Sequence, residues 1–198
     1  MHRMLLDIPD GFETERLHVR RYQAGDGAAY WVMAQRNRDH LFPFEADNPV
    51  RSLQSEQEAE ILLREFAADW AQRKHFFLGA WTRAEGVFAA QVYIGVVSWD
   101  LSEFEVGYFA DVDHEGQGYV SEAVRGALDF IFSYLQAQRI RLRCSDVNPR
   151  SAHVAERCGF VREGHLRQCH RMADGNICGE LIYGLLRAEY SPSSSPHP

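Results

Sequence analysis

Glu115-Gly116-Gln117-Gly118-Tyr119-Val120-Ser121-Glu122-Ala123 lies between a strand-like run and an amphipathic helical one. Glycines at 116 and 118 let backbone approach a ligand without Cβ interference. The free N–H groups of the following helix's first turn, at the positive end of its dipole, make a ready anion site. No Gly-Lys-Ser/Thr follows, so this is not a Walker loop. Nor is it the dinucleotide fingerprint, because serine stands at 121 where a third glycine is required. Alone, the pattern suits a tight turn as well as a phosphate cradle.

The segments on either side give the loop its setting. Upstream, Phe76–Thr82, a long β-prone run ending at Trp99, and Phe104–Val112 read as three strands. Before them, Leu17 and Val19 alternate with polar residues over Thr14–Arg21, another strand. Gly25-Asp26-Gly27 starts a helix with Asp26 as its cap. Residues 37–54 read as a loop with an apolar interior. Ser55-Glu-Gln-Glu58 is a capping box ahead of a helix whose stripe is Ala59, Leu62, Leu63, Phe66, Ala67 and Trp70. Downstream, a helix from Ser121 to about Gln138 precedes the strand Ile140–Asp146. A short helix opens at Asn148-Pro149 and stops at Gly159, and two last strands lie near His165–Met172 and Glu180–Leu186. The order β-α-α-β-β-β-α-β-α-β-β predicts an α/β mixed sheet with helices on its faces. Residues 1–190 read as one domain, and the Ser, Pro and His of 191–198 as a disordered tail.

Composition narrows the function. A net charge of −7 argues against nucleic acid as a partner, since such binding relies on a basic surface. The sequence offers no run near the roughly 18 apolar residues a membrane span needs. Met1 to Asp10 is mixed and unlike a signal peptide, so a cytoplasmic protein is expected. Cys144, Cys158, Cys169 and Cys178 form no close pair and read as free thiols. The spacing of Cys169 and His170 with His165 and Cys178 matches no usual zinc pattern, so no metal is expected.

A second constellation is Asn148-Pro-Arg-Ser151, at the mouth of a strand and the start of a helix. Asn148 supplies an amide able to pair with a linear ligand, or simply caps the helix. Ser151, one turn in, has a hydroxyl able to donate to a leaving group.

Glu13-Thr-Glu-Arg-Leu-His-Val-Arg20, Glu105-Val-Gly-Tyr108, Gly116-Gln-Gly-Tyr-Val-Ser-Glu-Ala123, Asn148-x-x-Ser151, Cys158-Gly-Phe160 and Tyr183-Gly-Leu-Leu-Arg-Ala-Glu-Tyr190 occur in this order. Together they resemble the GNAT superfamily of acetyltransferases, and within it the Rim branch of ribosomal-protein alanine N-acetyltransferases, over roughly residues 12–190. The resemblance implies a mixed, mostly antiparallel sheet splayed between its fourth and fifth strands, with helices on both faces and the pantetheine arm of acetyl-CoA in the gap. It places Phe109, Ala110 and Val112 along that arm as backbone partners. The N–H groups of Gly116, Gln117, Gly118, Tyr119, Val120 and Ser121 fall at the pyrophosphate, Asn148 at the pantetheine and Arg157 at the nucleotide end. Two positions depart from the family loop: Glu115 stands where a cation or amide is usual, and Val120 where a small residue is.

The chemistry so implied is acetyl transfer to an amine acceptor, a protein N-terminus or a small molecule, by direct attack. Ser151 would be the acid toward the departing thiolate. Glu105 is the leading candidate base or water-orienter, ahead of Glu103 and His170; its alternative is a structural carboxylate paired with an arginine. The aromatics Trp31, Trp70, Trp99 and Tyr108 read as core, whereas Phe42 and Phe44 would wall the acceptor pocket. Two other readings stay open: transfer of a larger acyl group such as succinyl, and a CoA-binding sensor without catalysis. The resemblance also implies a homodimer.

Overall fold

The computed structural model describes residues 2–43 and 48–192. Phe44 and, from residue 193 on, the expected tail lie outside the described residues. Eight strands form one sheet: β1 (Gly11–Glu13), β2 (Leu17–Arg21), β3 (His75–Thr82), β4 (Phe88–Ser98), β5 (Glu103–Ala110), β6 (Arg139–Ser145), β7 (Val161–Arg171) and β8 (Ile177–Leu186). Their order is β1-β2-β3-β4-β5-β6-β8-β7, and every pairing is antiparallel except β5 with β6. The helices are α1 (Gly27–Leu41), α2 (Glu56–Ala71), α3 (Tyr119–Tyr134) and α4 (Pro149–Arg157).

Strand alternation sorts the core into two. Phe76, Leu78, Val92, Ile94, Phe104 and Val106 point to one face and pack with α3 and α4. Phe77, Trp81 and Phe109 point to the other, where Tyr30, Met33, Leu63 and Phe66 of α1 and α2 cover them. Both faces are therefore covered over β3–β5, as the element order predicts. Among the described residues, no helix is long and apolar enough to cross a membrane.

Boundaries differ from the sequence reading where long-range partners act. Helix α1 runs on through residues 37–41, because Asn37 is fully buried with its amide on the Met33 carbonyl and on Asp111. Asp26 does not cap α1 with its side chain; its carboxylate engages Arg20 at 2.7 Å. Glu60 of α2 takes the Gly25 and Gly27 N–H groups instead, at 3.0 and 3.2 Å. At α2 the capping box is half formed: Ser55 accepts from the Glu58 N–H, but Glu58 reaches back to the Gln54 N–H.

The parallel pair β5–β6 joins only Glu103–Glu105 to Arg139–Arg141. Beyond Glu105 the two strands part, and the sheet is open in its middle. The short β1 moves the count, so the gap between the fourth and fifth strands of the sequence reading is that between β5 and β6. At the far end of β5, Asp111 is fully buried and gathers the Arg36 guanidinium at 2.5 Å, the Asn37 amide at 2.9 Å and the Asp113 N–H at 3.1 Å. This cluster pulls the end of β5 toward α1 and away from β6. Burial alone would push the Asp111 carboxyl up. The hydrogen bonds from Arg36, Asn37, Asp113 and His114 outweigh it and hold the carboxyl below the usual range.

Asp111→Ala should thus destabilise the protein by about 1.5–3 kcal/mol, the range for hydrogen bonds to a charged group, in urea unfolding at neutral pH. A depressed native pKa means the contribution is present above the unfolded carboxyl value of ~3.9 and is lost as pH falls through the lower folded value. The stability gap between wild type and variant should therefore close in acid and stay constant above about pH 5.

Candidate active site

One cavity of about 680 Å³ opens along the splay. Its β5 wall is Val106–Phe109; its opposite wall is Leu142–Ser145 with Asn148 and Ser151 at the start of α4. The Asp111 N–H donates to the Ala89 carbonyl, so odd-numbered residues of β5 turn their backbone groups to β4. Those of Tyr108 and Ala110 consequently face the gap.

This divides the three backbone positions read from the sequence. Ala110 fits. Phe109 belongs to the β4 ladder and lines the cavity with its ring instead. Val112 is past the strand, on a 3-10 turn, with its N–H taken by Asn37 at 2.8 Å.

Asn148 both caps α4 and lines the cavity: its Oδ1 accepts from the Ser151 N–H at 3.1 Å. Ser151 Oγ lies 3.0 Å from the Tyr108 hydroxyl, which is also 3.0 Å from the Ser151 carbonyl. Burial pushes the Tyr108 phenol well up, against the opposing hydrogen bond with Ser151, so it stays a neutral donor. Cys144 lines the same wall, and burial likewise raises its thiol. Tyr108, read from sequence as core, is the partner that reasoning missed. Its signal was the even-numbered register with Phe104 and Val106, which aims it at the helix bearing Ser151.

The glycine loop leads straight into α3. Gly116 and Gly118 have φ of 72° and 81°, and Gly118 caps the helix, which therefore starts at Tyr119 rather than Ser121. A Cβ on Gly116 would meet nothing within 4 Å, so glycine serves backbone conformation there, not crowding. Gln117, Tyr119, Val120 and Ser121 follow in the loop and first turn, where N–H groups lack intrahelical acceptors. Arg16 stacks over Tyr119 at 4.5 Å, pairs with Glu122 at 2.6 Å and donates to the Gln117 carbonyl at 3.0 Å. It brings a cation to the loop from a hundred residues away. The acid at 115 is answered as well: Glu115 bonds Arg150 at 2.5 Å and lies 3.5 Å from His40.

Of the remaining sequence candidates, His170 lines this cavity and the others fall elsewhere. Glu105 ion-pairs with its direct neighbour Arg141 at 2.8 Å and does not line the cavity, which is the structural-carboxylate alternative. Glu103 pairs with Arg139 at 3.1 Å, and His170 lies 3.3 Å from Glu180. Arg157 lines a separate cavity of about 290 Å³ with Arg125 and Asp129. Phe42 is exposed under the Arg51 guanidinium, outside the cavity lining; Pro43, Asn48 and Pro49 line it there instead. Donor atoms of Cys169, His170 and Glu180 lie within 4.8 Å of one another, but Glu180 already engages Arg143. His165 bonds Asp146 instead of joining them.

The family model for the acetyltransferase (GNAT) domain matches residues 16–161. The chain belongs to the GNAT acetyltransferase family. The ribosomal-protein-serine acetyltransferase of Escherichia coli (strain K12) is 33% identical over 93 residues, 44% of this chain and 52% of that protein. The spermidine N(1)-acetyltransferase of Vibrio cholerae serotype O1 (strain ATCC 39315 / El Tor Inaba N16961) is 41% identical over 54 residues, 27% and 31% of the two. The chain thus spans about half or less of the length of these curated relatives. Among solved structures, Mycobacterium smegmatis RimJ in complex with CoA-disulfide superposes with a TM-score of 0.78 at 22% identity, over 96% of this chain and 91% of that one. The fold is shared at this distance.

If Glu105 is an ion-pair partner, Glu105→Gln should lower stability in urea by no more than about 1 kcal/mol, the range for a part-exposed pair. Turnover should change far less than on altering Ser151; a loss of a hundredfold or more would restore Glu105 to the chemistry.

Proposed function

We propose that this GNAT chain moves an acetyl group from acetyl-CoA to an amine by direct attack in a ternary complex. The observation that carries the reading is the Ser151–Tyr108 hydroxyl pair, set at the open side of β5 in one cavity with Asn148. The donor is supported by the left-handed glycine loop with open space at Gly116, by Arg16 beside it, and by the bound CoA of the RimJ structure. When bound, acetyl-CoA supplies an activated acyl carbon and a thiolate leaving group.

The N–H groups of Gly116 to Ser121 would hold the pyrophosphate and the amide nitrogen of Asn148 the pantetheine arm. The N–H groups of Tyr108 and Ala110 are the donors suited to the oxygen on which negative charge develops. Ser151 would protonate the departing sulfur, with Tyr108 turning its O–H from the Ser151 carbonyl to Ser151 Oγ as the serine proton leaves, and the proton lost by the acylated nitrogen would return through solvent to Ser151. A thiol pKa near ~8.5 makes this assistance useful rather than obligatory.

The base is less demanding for some amines than others. Deprotonation at pH 7 costs about 1 kcal/mol for an α-amine of pKa ~7.7–8.0, against about 4–5 kcal/mol for a lysine of pKa ~10.4. The carboxylates that line the cavity, Glu65 and Asp69 of α2 and the Arg143-bound Glu180, are much weaker bases than a lysine amine, so the site suits an α-amine, in keeping with the ribosomal-protein acetyltransferase among the relatives. Transfer of a succinyl group would call for a free cation at the thioester end, and Arg143, which lines the cavity there, is held by Glu180. A non-catalytic sensor would have no use for the paired hydroxyls. A cytoplasmic homodimer completes this reading.

Ser151→Ala should lower turnover about ten- to a thousandfold in a thiol-release assay with acetyl-CoA and a peptide amine, within the general-acid range. Tyr108→Phe should act in the same direction, and the double variant should be less than additive, because both act on one proton. Unchanged turnover in Ser151→Ala removes it from the mechanism. At the loop, Arg150→Ala should weaken CoA binding a few-fold in calorimetry by exposing the Glu115 charge, and adding Glu115→Gln should restore it.

A further inference from the structure

The β7–β8 hairpin brings together three donor types that acetyl transfer as described above does not use. Donor atoms of Cys169, His170 and Glu180, a thiol, an imidazole and a carboxylate, lie within 4.8 Å of one another. Of the four cysteines Cys169 alone is exposed, and the His170 side chain is 51% exposed, so ions in solution can reach both. Spacing along the chain matches no zinc pattern because the third donor comes from the facing strand. A bulge makes the meeting. Leu166 pairs with Glu180 and His170 with Cys178, so residues 167–169 stand against Gly179 alone. Gln168 in this bulge has φ of 52°, a left-handed conformation that residues other than glycine seldom adopt. A Cβ at Gly179 would stand 2.6 Å from the Leu166 carbonyl oxygen, so the close approach of the two strands requires glycine there. The Cys169 sulfur lies 3.3 Å from that same carbonyl, turned back along the hairpin.

Glu180 divides its two oxygens. Oε2 accepts from Arg143 Nε at 2.8 Å, whereas Oε1 lies 3.3 Å from His170 Nε2. Zinc holds nitrogen and oxygen ligands at about 2.0–2.1 Å, and two such ligands at the tetrahedral angle stand about 3.3 Å apart. His170 and Glu180 therefore already have the separation of one edge of a zinc tetrahedron. A thiolate at about 2.3 Å from the same ion would stand about 3.6 Å from each of them, so the Cys169 sulfur has at most about 1.2 Å to close. Arg143 then plays the part of the hydrogen-bonding group that supports a ligating carboxylate. Thiolate and carboxylate together match the two charges of the ion. Sulfur with imidazole favours Zn²⁺ over Mg²⁺ and Ca²⁺, which take oxygen ligands.

We propose that Cys169, His170 and Glu180 form a three-ligand site for Zn²⁺ at the wall of the cavity, which His170 and Glu180 line. The thiol proton of Cys169 leaves as its sulfur binds, and His170 binds through Nε2 in its neutral form. The fourth position of the tetrahedron stays open to water or to a ligand in the cavity. The site uses neither Ser151 nor Tyr108, and it stands whether or not the chain acetylates amines.

The test titrates the untagged, fully reduced chain with Co²⁺ as a coloured stand-in for zinc, and then displaces it with Zn²⁺. Expected is one equivalent of Co²⁺ with sulfur-to-metal charge-transfer absorption and the visible bands of tetrahedral cobalt, all lost as Zn²⁺ takes its place. Cys169→Ser should remove the charge-transfer absorption. It should also weaken Zn²⁺ by at least the ten- to a hundredfold typical of losing a mere supporting partner, and His170→Ala should weaken it by as much. Both side chains are exposed, so these variants should keep the unfolding midpoint of the unsubstituted protein in urea without metal. Glu180→Gln is avoided because it would also release Arg143. As ligand protons compete with the ion, affinity should fall as pH is lowered from 7.5 to 6. Absence of the charge-transfer absorption in the unsubstituted protein overturns the assignment. Its survival in Cys169→Ser does so too, because another thiol would then hold the ion, and so does an undiminished Zn²⁺ affinity in His170→Ala.

Discussion

The structure turns on a parallel strand pair that is held at one end and let go at the other. Cross-strand ion pairs clamp the closed end, with Arg139 between Glu103 and Glu163 and Arg141 on Glu105. At the open end the buried Asp111 carboxylate, with Arg36 and Asn37, draws the chain after β5 toward α1, while β6 stays in register with β8 over Arg139–Ser145. The result is a strand edge in the middle of a sheet. Edges normally pair, are covered or are blunted. Here the edge is kept as a place for an extended ligand to add its own amides, which is recognition by strand addition. Each other part of the site depends on that opening: Tyr108 reaches Ser151 across it, and the glycine loop starts where its far end is tied down.

Legibility followed sequence distance. The glycine loop could be read because its signal is local: two residues with positive φ and a helix start within a few positions. The capped short helix with Asn148 and Ser151 was equally local. What could not be read lies in contacts between distant segments. Arg16 joins the loop from β2's threshold, Glu60 caps α1 from α2, and Asn37 lengthens α1 because it meets Asp111. Glu105 looked like a base because strand alternation sets it on one face with Gly107 and Phe109, yet alternation cannot say that Arg141 stands beside it. Val112 was read as the end of the strand, although β5 stops at Ala110 and Asn37 takes the Val112 N–H.

Charge at the phosphate loop shows the same division. Glu115, taken alone, opposes an anion. In the fold it is the acidic half of a bond to Arg150 from α4, close to His40 from α1, so three separate elements meet at one carboxylate. The unfavourable side chain becomes a tie between the loop and the helix that carries Asn148 and Ser151. Because Arg150 is mostly exposed, that tie is weak and screened by salt, so affinity at the loop should still rest on backbone N–H groups and Arg16.

The two sides of the gap differ in what they can do with protons. On the α3/α4 side, burial keeps the Tyr108 phenol and the Cys144 thiol protonated beside Ser151, so that side gives protons. On the opposite side, Glu180 carries Arg143, the Tyr93 hydroxyl is bound to His75 at 2.9 Å, and Glu65, Asp69 and His170 line the same cavity. Carboxylates and imidazoles are far weaker bases than a lysine amine, so an active site equipped in this way is better at releasing a thiolate than at deprotonating a strongly basic amine. The acceptor it fits is one that is already substantially neutral near pH 7. An α-amine meets that condition because the adjacent carbonyl withdraws electrons from it.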